Sequence, residues 1–256
     1  MEKIFIFTEP NISAESRQQC RDFALHLCED NYQAVFIDDA EEAKRLASDK
    51  KPVIAVEFPE SKNKTPVDYI ISNPGELWFE DIEEYYLRSQ DKPLFILETK
   101  RCYIREFSME DLDDLFELYS NPKTTAYIEG LFEYDEEKAY QRNYIDLIYK
   151  LYGFGMWLVF EKNTDRLIGR AGIEVRQTCK RANQAELGYL IDPKYWHQGY
   201  ATEVCSAIIE TARLRYGIDS FLARCNRENT ASQATLRRLG FTNMGHFEDM
   251  DDLWQL

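Results

Sequence analysis

Histidine is scarce in this chain, and paired cysteines are absent. The 256 residues include three histidines, which lie far apart without an HExxH motif, and six cysteines without a CxxC pair. Because metal ligands in such motifs need close and regular spacing, this pattern predicts no metal site. Scattered cysteines in a chain of this length are not the framework of a small disulfide-rich protein, so we expect reduced thiols.

Long apolar runs are also missing. No run approaches the roughly 18 apolar residues that cross a membrane. The first residues, "MEKIFIFTEP", lack the basic start of a signal peptide. These features predict a cytoplasmic protein with no membrane contact.

Positive charge is in short supply. The chain has 31 lysines and arginines against 46 aspartates and glutamates, which gives a formal net charge of -15. Nucleic-acid binding needs concentrated basic side chains, so this charge predicts no nucleic-acid partner. The same field attracts a cationic substrate.

Glycine is nearly absent from the first part of the chain. Before residue 97 the one glycine is Gly75, and neither GxGxxG nor GxxxxGK[ST] occurs. A dinucleotide site or a P-loop is therefore not expected. Asp38 and Asp39 lie at the carboxyl end of the second predicted strand, where ligands bind in open α/β sheets. Acidic residues also begin helices, so both interpretations of this pair stay open.

Strands and helices alternate in this first part, as they do around a mostly parallel sheet. Short apolar runs predict strands at residues 3–9, 34–39, 52–58, 68–72 and 93–97, and helices at 13–30, 40–48 and from "SNPGE" to about residue 90. We therefore predict a small Rossmann-like or flavodoxin-like accessory domain over residues 1–95 and a second domain over residues 96–256.

The second part has a different order of elements. Periodicity predicts helices at residues 108–120, 135–151, 201–216 and 230–239, and strands at 156–162, 166–176, 184–191, 220–226 and 241–247. This order predicts an α/β fold with α+β character and a mixed sheet.

The stretch "YWHQGYATE" has two small residues, Gly199 and Ala201, among bulky and polar neighbours, so its backbone is accessible. Gly199 stands between a predicted strand and a predicted helix that begins at Ala201, and at such a turn backbone N–H groups and the positive helix end bind anions. A flexible helix entry would explain the same glycine. The longer motif "AELGYLIDPKYWHQGYATE" is followed, after one helix and one strand, by "NRENTASQATLRRLGF". In this order the motifs resemble the GNAT acetyltransferase superfamily, in its Rim-type (ribosomal-protein N-acetyltransferase-like) branch, from about residue 97 to 256.

The resemblance implies acetyl-coenzyme A as the cosubstrate. Its pyrophosphate would be held by the backbone amides of Gln198, Gly199, Tyr200, Ala201 and Thr202. Its pantetheine arm would lie along the "GYLI" strand, and a backbone N–H around Leu190 and Ile191 would meet the thioester carbonyl. Asn229 would bind the pantetheine arm, cap its helix, or do both. Family members usually carry Gln or Arg three residues before the glycine, whereas this chain has Trp196.

Acetyl transfer to an amine needs a neutral amine, a polarised carbonyl and a protonated leaving thiolate. By the resemblance, Glu186 is the candidate base, although a strand-end surface glutamate gives the same pattern. Leu236 stands where many members have the tyrosine that protonates the thiolate. Ser232 is the candidate acid, and a helix-capping role explains it equally well. Tyr127 and Glu129, in "YIEGLF", are the candidates for the amine pocket, with Glu129 as the ammonium partner.

These features predict an N-acetyltransferase that moves an acetyl group to a primary amine of a peptide or a small molecule by direct attack. The rival hypothesis is a non-catalytic acetyl-coenzyme A sensor or interaction module. The first domain is expected to fold independently. Its expected work is to shape the amine entrance, to supply an oligomer surface, for example that of a homodimer, or to bind a regulator. The alternative is that its sheet only covers apolar surface of the second domain.

Overall fold

The chain folds as two units, each with its own β-sheet. The computed structural model describes residues 2–61, 67, 69–72 and 79–256. Tertiary contacts divide the chain into Met1–Leu94 and Phe95–Leu256. The first unit contains a four-stranded sheet and the second an eight-stranded sheet.

The first unit is an α/β layer whose four strands are parallel. Strands β1 (Ile4–Thr8), β2 (Ala34–Ile37), β3 (Val53–Val56) and β4 (Tyr69–Ile71) stand in the order β2-β1-β3-β4. Its helices are α1 (Ala14–Glu29), α2 (Ala40–Ser48) and α3 (Phe79–Ser89). This strand order is the flavodoxin-like one.

Helices cover both faces of this sheet. Ile4 of β1 packs in one apolar cluster with Leu27 of α1, and Phe7 packs in another with Leu46 of α2. Because successive strand residues point to opposite faces, one apolar strand supplies both clusters.

The two acidic residues after β2 have structural contacts. Asp39 accepts hydrogen bonds from the N–H groups of Glu41 and Glu42 and so caps α2. Asp38 lies 3.5 Å from the guanidinium of Arg17 in an exposed ion pair. The helix-start interpretation therefore accounts for Asp39. In the predicted helix start "SNPGE", residues 73–76 lie outside the described residues.

The strand predicted at residues 93–97 does not join the first sheet. It is β5 (Phe95–Glu98), which pairs antiparallel with β6 (Cys102–Arg105) at the edge of the second sheet. Thr99 closes the turn by donating its N–H to the Cys102 carbonyl at 2.8 Å. The prediction was wrong because an apolar run indicates a strand but not its partner. The short turn makes the segment just after it the nearest partner.

The second sheet contains one parallel pair at its centre. Its other strands are β7 (Met156–Glu161), β8 (Arg166–Glu174), β9 (Gln184–Ile191), β10 (Ser220–Asn226), β11 (Thr242–Glu248) and β12 (Asp251–Gln255), and the order is β11-β12-β10-β9-β8-β7-β6-β5. β9 and β10 run parallel, whereas the other pairs that the structure describes in this sheet are antiparallel. β12 was not predicted, because the acidic run "FEDMDD" covers its start. Its buried anchor is Trp254.

Helices of the second unit are α4 (Leu112–Tyr119), α5 (Tyr134–Asn143), α6 (Lys150–Tyr152), α7 (Tyr200–Tyr216) and α8 (Thr230–Arg238). The helix predicted at residues 135–151 contains a π-helical segment, Tyr144–Tyr149, between α5 and α6. The Tyr144 hydroxyl accepts the Met156 N–H at 2.8 Å, and Tyr149 donates to the Met156 carbonyl at 2.7 Å. The π-helical segment is thereby fixed to the start of β7.

Candidate active site

A V-shaped cleft opens between β9 and β10. The two strands pair only where residues 184–186 meet residues 220–222. Beyond that point β9 stays on β8 as far as Ile191, and β10 stays on β12 as far as Asn226. The facing edges therefore present backbone groups to the cleft.

Backbone alternation decides which N–H groups of β9 face the cleft. The N–H of Asp192 donates to the Ile168 carbonyl at 2.8 Å, so the even-numbered residues of β9 hydrogen bond to β8. Leu190 belongs to that set, whereas the N–H groups of Tyr189 and Ile191 face the cleft. Of the two candidate donors to the thioester carbonyl, Ile191 has the suitable N–H direction.

The turn before α7 offers N–H groups to an anion. Gly199 is the N-cap of α7 and has a left-handed φ of 80°. The first helical hydrogen bond runs from the Glu203 N–H to the Gly199 carbonyl at 3.0 Å. Within the part of the chain that the structure describes, no acceptor binds the N–H groups of Tyr200, Ala201 and Thr202. This geometry suits a phosphate.

Two side chains near the same turn, Trp196 and Tyr200, form hydrogen bonds within the protein. Trp196 donates its Nε1–H to the Ile191 carbonyl at 2.6 Å and so links the turn to the end of β9. Tyr200 is buried, and its hydroxyl lies 3.0 Å from Oε1 of Glu161. The turn therefore presents backbone rather than these side chains.

Arg101 supports the turn from the β5–β6 hairpin, 97 residues earlier than Gln198. Its Nη1 donates to the Gln198 carbonyl at 2.9 Å, its Nε lies 2.7 Å from Glu203, and its guanidinium carbon lies 3.8 Å from the centre of the Tyr200 ring. Burial alone would raise the pKa of Glu203, but hydrogen bonds from Thr99 and Arg101 lower this pKa below its ordinary value. Sequence analysis did not identify Arg101, because no local pattern links it to the turn.

A cavity of 990 Å³ adjoins the cleft. Four candidates on β9, on α8 and at its N-cap line the cavity: Leu190, Glu186, Asn229 and Ser232. Both candidates for the amine pocket, Tyr127 and Glu129, line it as well. Ile191 and residues 198–202 lie beyond its wall, at the end of β9 and the start of α7. The cavity thus joins the predicted chemistry to the predicted amine pocket.

Glu186 is buried at the base of the cleft, with 8% of its surface exposed. Thr178 donates its hydroxyl to Oε2 at 2.7 Å, and Arg224 donates its Nε–H to Oε1 at 2.8 Å. Both carboxylate oxygens therefore have partners, and one of these partners is a cation.

A second carboxylate, not identified from the sequence, lies directly across from Glu186. Glu174 of β8 is its cross-strand partner and also lines the cavity. Tyr144 donates its hydroxyl to Glu174 at 2.6 Å, and Arg176 forms an ion pair with it. Glu174 and Glu186 are thus two of the carboxylates that line the cavity, and each is paired with its own arginine.

Ser232 and Tyr189 form a hydroxyl pair. The Ser232 Oγ lies 2.8 Å from the Tyr189 Oη. The Ser232 N–H donates to Oδ1 of Asn229 at 3.0 Å, so Asn229 caps α8. Leu236 is fully buried and has no proton to give. Burial raises the pKa of Tyr189 well above its ordinary value, so the phenol stays protonated.

The amine-pocket candidates lie in an irregular segment between α4 and α5. Tyr127 is 44% exposed, and Glu129 is exposed beside it. Glu137 holds the end of the segment by accepting the Phe132 N–H at 3.1 Å and the Gln141 side-chain N–H at 2.6 Å. This side of the cavity is therefore open to an incoming acceptor.

The family model described as Acetyltransferase (GNAT) domain matches residues 101–242. The chain belongs to the GNAT acetyltransferase family. It is 30% identical over 152 residues to a protein called uncharacterized N-acetyltransferase YnaD from Bacillus subtilis (strain 168), a match that covers 59% of this chain and 84% of YnaD. Another protein of that strain, YoaA, is 28% identical over 152 residues, with the same coverage. The family model and the names of these relatives support an N-acetyltransferase.

Among solved structures, the GNAT protein resembles RimL, described as a ribosomal L7/L12 α-N-protein acetyltransferase in complex with coenzyme A. The TM-score is 0.54 at 19% identity, covering 64% of this chain and 97% of RimL. At this identity the likeness shows the fold. It confirms the predicted GNAT fold, with a Rim-type neighbour, for the second unit.

Neither a metal-binding group of side chains nor a membrane-spanning helix is found among the described residues. In ranges 2–61, 69–72 and 79–256, no group of three or more His, Cys, Asp or Glu residues is placed to hold a metal ion. None of the described helices is long and apolar enough to cross a membrane. The six cysteines are free thiols.

Proposed function

We propose that this GNAT protein moves the acetyl group of acetyl-coenzyme A to a primary amine, on a peptide or a small molecule, by direct attack of the amine on the thioester. One observation carries the proposal. The splayed edge of β9 runs from the turn before α7, with its unbonded N–H groups, to a 990 Å³ cavity lined by a buried carboxylate and a hydroxyl pair.

The residues along the cleft suit acetyl-coenzyme A. The N–H groups at the start of α7 would hold its pyrophosphate, and Arg101 holds that turn in place through its hydrogen bond to the Gln198 carbonyl. The open edges of β9 and β10 would bind the pantetheine amides, as a sheet edge binds an added strand. When bound, acetyl-coenzyme A supplies the activated acetyl group.

Glu186 is the proposed base. Arg224 and Thr178 already bind its oxygens, so the acceptor ammonium must displace one of these contacts or pass its proton through a water. The neutral amine then attacks the carbonyl carbon. The N–H of Ile191 or of Tyr189 faces the cleft and would stabilise the negative charge that develops on the carbonyl oxygen.

Ser232 is the proposed acid. As the new C–N bond forms and the C–S bond breaks, the Ser232 hydroxyl gives its proton to the departing sulfur. Tyr189, 2.8 Å away, returns a proton to Ser232. The amine nitrogen becomes positively charged as the C–N bond forms and loses its second proton to water, which resupplies Tyr189. The proton that Glu186 took from the ammonium leaves to solvent, so the transfer releases one proton in total.

A non-catalytic acetyl-coenzyme A sensor is the second candidate function. Two observations favour it: Leu236 is buried at the position where many family members have a tyrosine acid, and Glu186 is paired with Arg224. A site with these features would bind the cosubstrate without turning it over.

Coenzyme A release in the presence of an amine library separates the two functions. The full chain is incubated with acetyl-coenzyme A and either peptides that differ in their first residue or small primary amines. Amine-dependent release of free thiol, with an acetylated product detected by mass spectrometry, supports transfer. Calorimetric binding of acetyl-coenzyme A without release by any amine would overturn transfer and support the sensor.

A further inference from the structure

Arg170 is a buried cation in the wall of the cavity. It lies on β8, and 8% of its surface is exposed. Its Nε is buried and has no hydrogen-bond partner. Tyr119 interacts electrostatically with the guanidinium, whose carbon lies 5.7 Å from the centre of the Tyr144 ring. Because arginine stays protonated in proteins, a full positive charge is held here.

The other two arginines of this cavity are already paired. Arg176 forms an ion pair with Glu174, and Arg224 lies 2.8 Å from Glu186. Among the residues that the structure describes, no carboxylate forms an ion pair with Arg170. A desolvated charge without an anion nearby is costly, so a position of this kind suits a ligand that brings the anion.

Arg170 stands beside the proposed site of reaction. It lies directly across from Leu190, just as Glu174 lies across from Glu186. Alternate residues of a strand share a face, so these four side chains lie on one face of the sheet. Arg170 and Glu174 are four positions apart on the strand, which is roughly 13 Å between Cα atoms. An anion bound by Arg170 would therefore lie within one small molecule's length of the amine.

Glu137 provides the structural alternative. This buried glutamate lines the same cavity, and Tyr119 interacts electrostatically with both Glu137 and Arg170. If Arg170 serves only to balance Glu137 across Tyr119, its loss lowers stability and leaves the choice of acceptor unchanged.

We infer that Arg170 binds an anionic group, a carboxylate or a phosphate, on the acceptor amine. The substrate class is then a zwitterionic amine, whose ammonium end is met by Glu129 or Glu186 and whose anionic end is met by the guanidinium. Arginine suits this task because its planar N–H groups bind both oxygens of such an anion. The inference rests on the proposed acetyl transfer.

The test uses acceptors that differ only in the anion. Glycine, β-alanine and 4-aminobutanoate are each compared with their amides, and O-phosphoethanolamine is compared with ethanolamine. Coenzyme A release gives kcat/KM for each. We expect an acid to exceed its amide by ~10-fold or more at one chain length, which also measures the distance from the amine to Arg170. The phosphate pair shows which anion fits.

Variants assign the preference to Arg170. In Arg170→Met the kcat/KM of the acid should fall to within about twofold of that of the amide, because the guanidinium contributes to the reaction of the acid alone. Arg166→Met is the matched control: its arginine lies on the same strand, exposed and paired with Glu117, and the acid preference should persist. Equal rates for acids and amides in the parent chain, or an equal loss for both in Arg170→Met, would overturn the inference.

Two further measurements separate this inference from the proposed function. If no amine releases coenzyme A, the proposed transfer fails, and calorimetry with N-acetyl-β-alanine and its amide then decides the anion site. Binding that needs the carboxylate and is lost in Arg170→Met supports the site, whereas equal or absent binding of both overturns it. If circular dichroism shows that Arg170→Met is unfolded, Arg170→Lys replaces it. This variant keeps the charge but loses the planar N–H groups, so its acid-to-amide rate ratio should fall below that of the parent chain, and an unchanged ratio would overturn the inference.

Discussion

The phenol oxygen of Tyr189 lies 2.8 Å from the hydroxyl oxygen of Ser232, and both residues line the cavity beside the β9–β10 cleft. In this GNAT protein α8 carries Leu236 where many family members have a tyrosine. A phenol is nevertheless present next to Ser232, and β9 rather than α8 provides it. In the proposed transfer, this pair would give the leaving thiolate a proton donor, Ser232, with a second donor, Tyr189, in contact with it.

Removing the Ser232 hydroxyl should slow chemistry and leave cosubstrate binding intact. For Ser232→Ala we expect kcat to fall by ~100-fold, and for Tyr189→Phe by ~10-fold, because both lose part of the proton path. Steady-state kinetics and calorimetry with acetyl-coenzyme A measure the two effects. The control is Ser206→Ala, at an exposed serine on α7. An unchanged kcat in Ser232→Ala would contradict the role of Ser232 as the proton donor and leave it a structural role at the start of α8.

Gly199 should be needed for its backbone at the phosphate turn. We expect Gly199→Val to weaken acetyl-coenzyme A binding by ~100-fold or more, because a β-branched side chain strains the left-handed φ and blocks the approach to the N–H groups. Gly217 is a matched control at the other end of α7, with a φ of 65° and no atom within 4 Å of an added Cβ.

Gly217→Val therefore introduces the same backbone strain away from the turn. Calorimetry on both folded variants isolates the binding effect from the strain. Unchanged affinity in Gly199→Val, or an equal loss in Gly217→Val, would defeat the assignment of the turn.

The ion pair behind the turn should make stability depend on pH in the acid range. Because the pKa of Glu203 is lowered in the fold, its contribution is present above its unfolded pKa of about 4.3 and is lost as pH falls through the lower folded value. Melting temperatures of the parent chain and Glu203→Gln should differ at pH 7 and converge below about pH 4. A gap that persists unchanged at roughly pH 3 would contradict this role.

Local patterns in the sequence predict elements better than they predict partners. The ranges predicted for β9 and β10 match the observed Gln184–Ile191 and Ser220–Asn226, because apolar alternation is a local property. The partner of β5 and the existence of β12 depend on pairing between segments, which periodicity does not contain.

Long-range contacts explain which site residues the sequence did not indicate. Arg101 acts on a carbonyl 97 residues away, and no motif joins the two positions. Arg170 had a signal that could have been used: it is a lone charge inside the apolar run "LIGRAGI", whose burial requires a partner or a ligand. In the sequence Tyr189 is an ordinary aromatic residue of a strand, and its contact with Ser232 depends on how α8 packs against β9.

The second unit should bind acetyl-coenzyme A without the first. Every cosubstrate candidate lies after residue 97, so a fragment of residues 93–256, which retains β5, should show a Kd within about threefold of the full chain. Calorimetry on the two proteins gives the comparison, with co-expression of residues 1–92 as the control for solubility. A folded, soluble fragment without affinity would show that the cosubstrate site needs residues of the first unit.

The pH profile of Glu186→Gln tests acetyl transfer in this cleft most directly. With a reactive amine in hand, kcat/KM is measured from roughly pH 6 to 9 for the parent chain, for Glu186→Gln and for the control Glu210→Gln, at an exposed glutamate on α7. We predict a ~100-fold or larger loss in Glu186→Gln at neutral pH, an affinity for acetyl-coenzyme A within about twofold of the parent, and no change in the control. Equal rates for Glu186→Gln and the parent chain across this range would contradict the account.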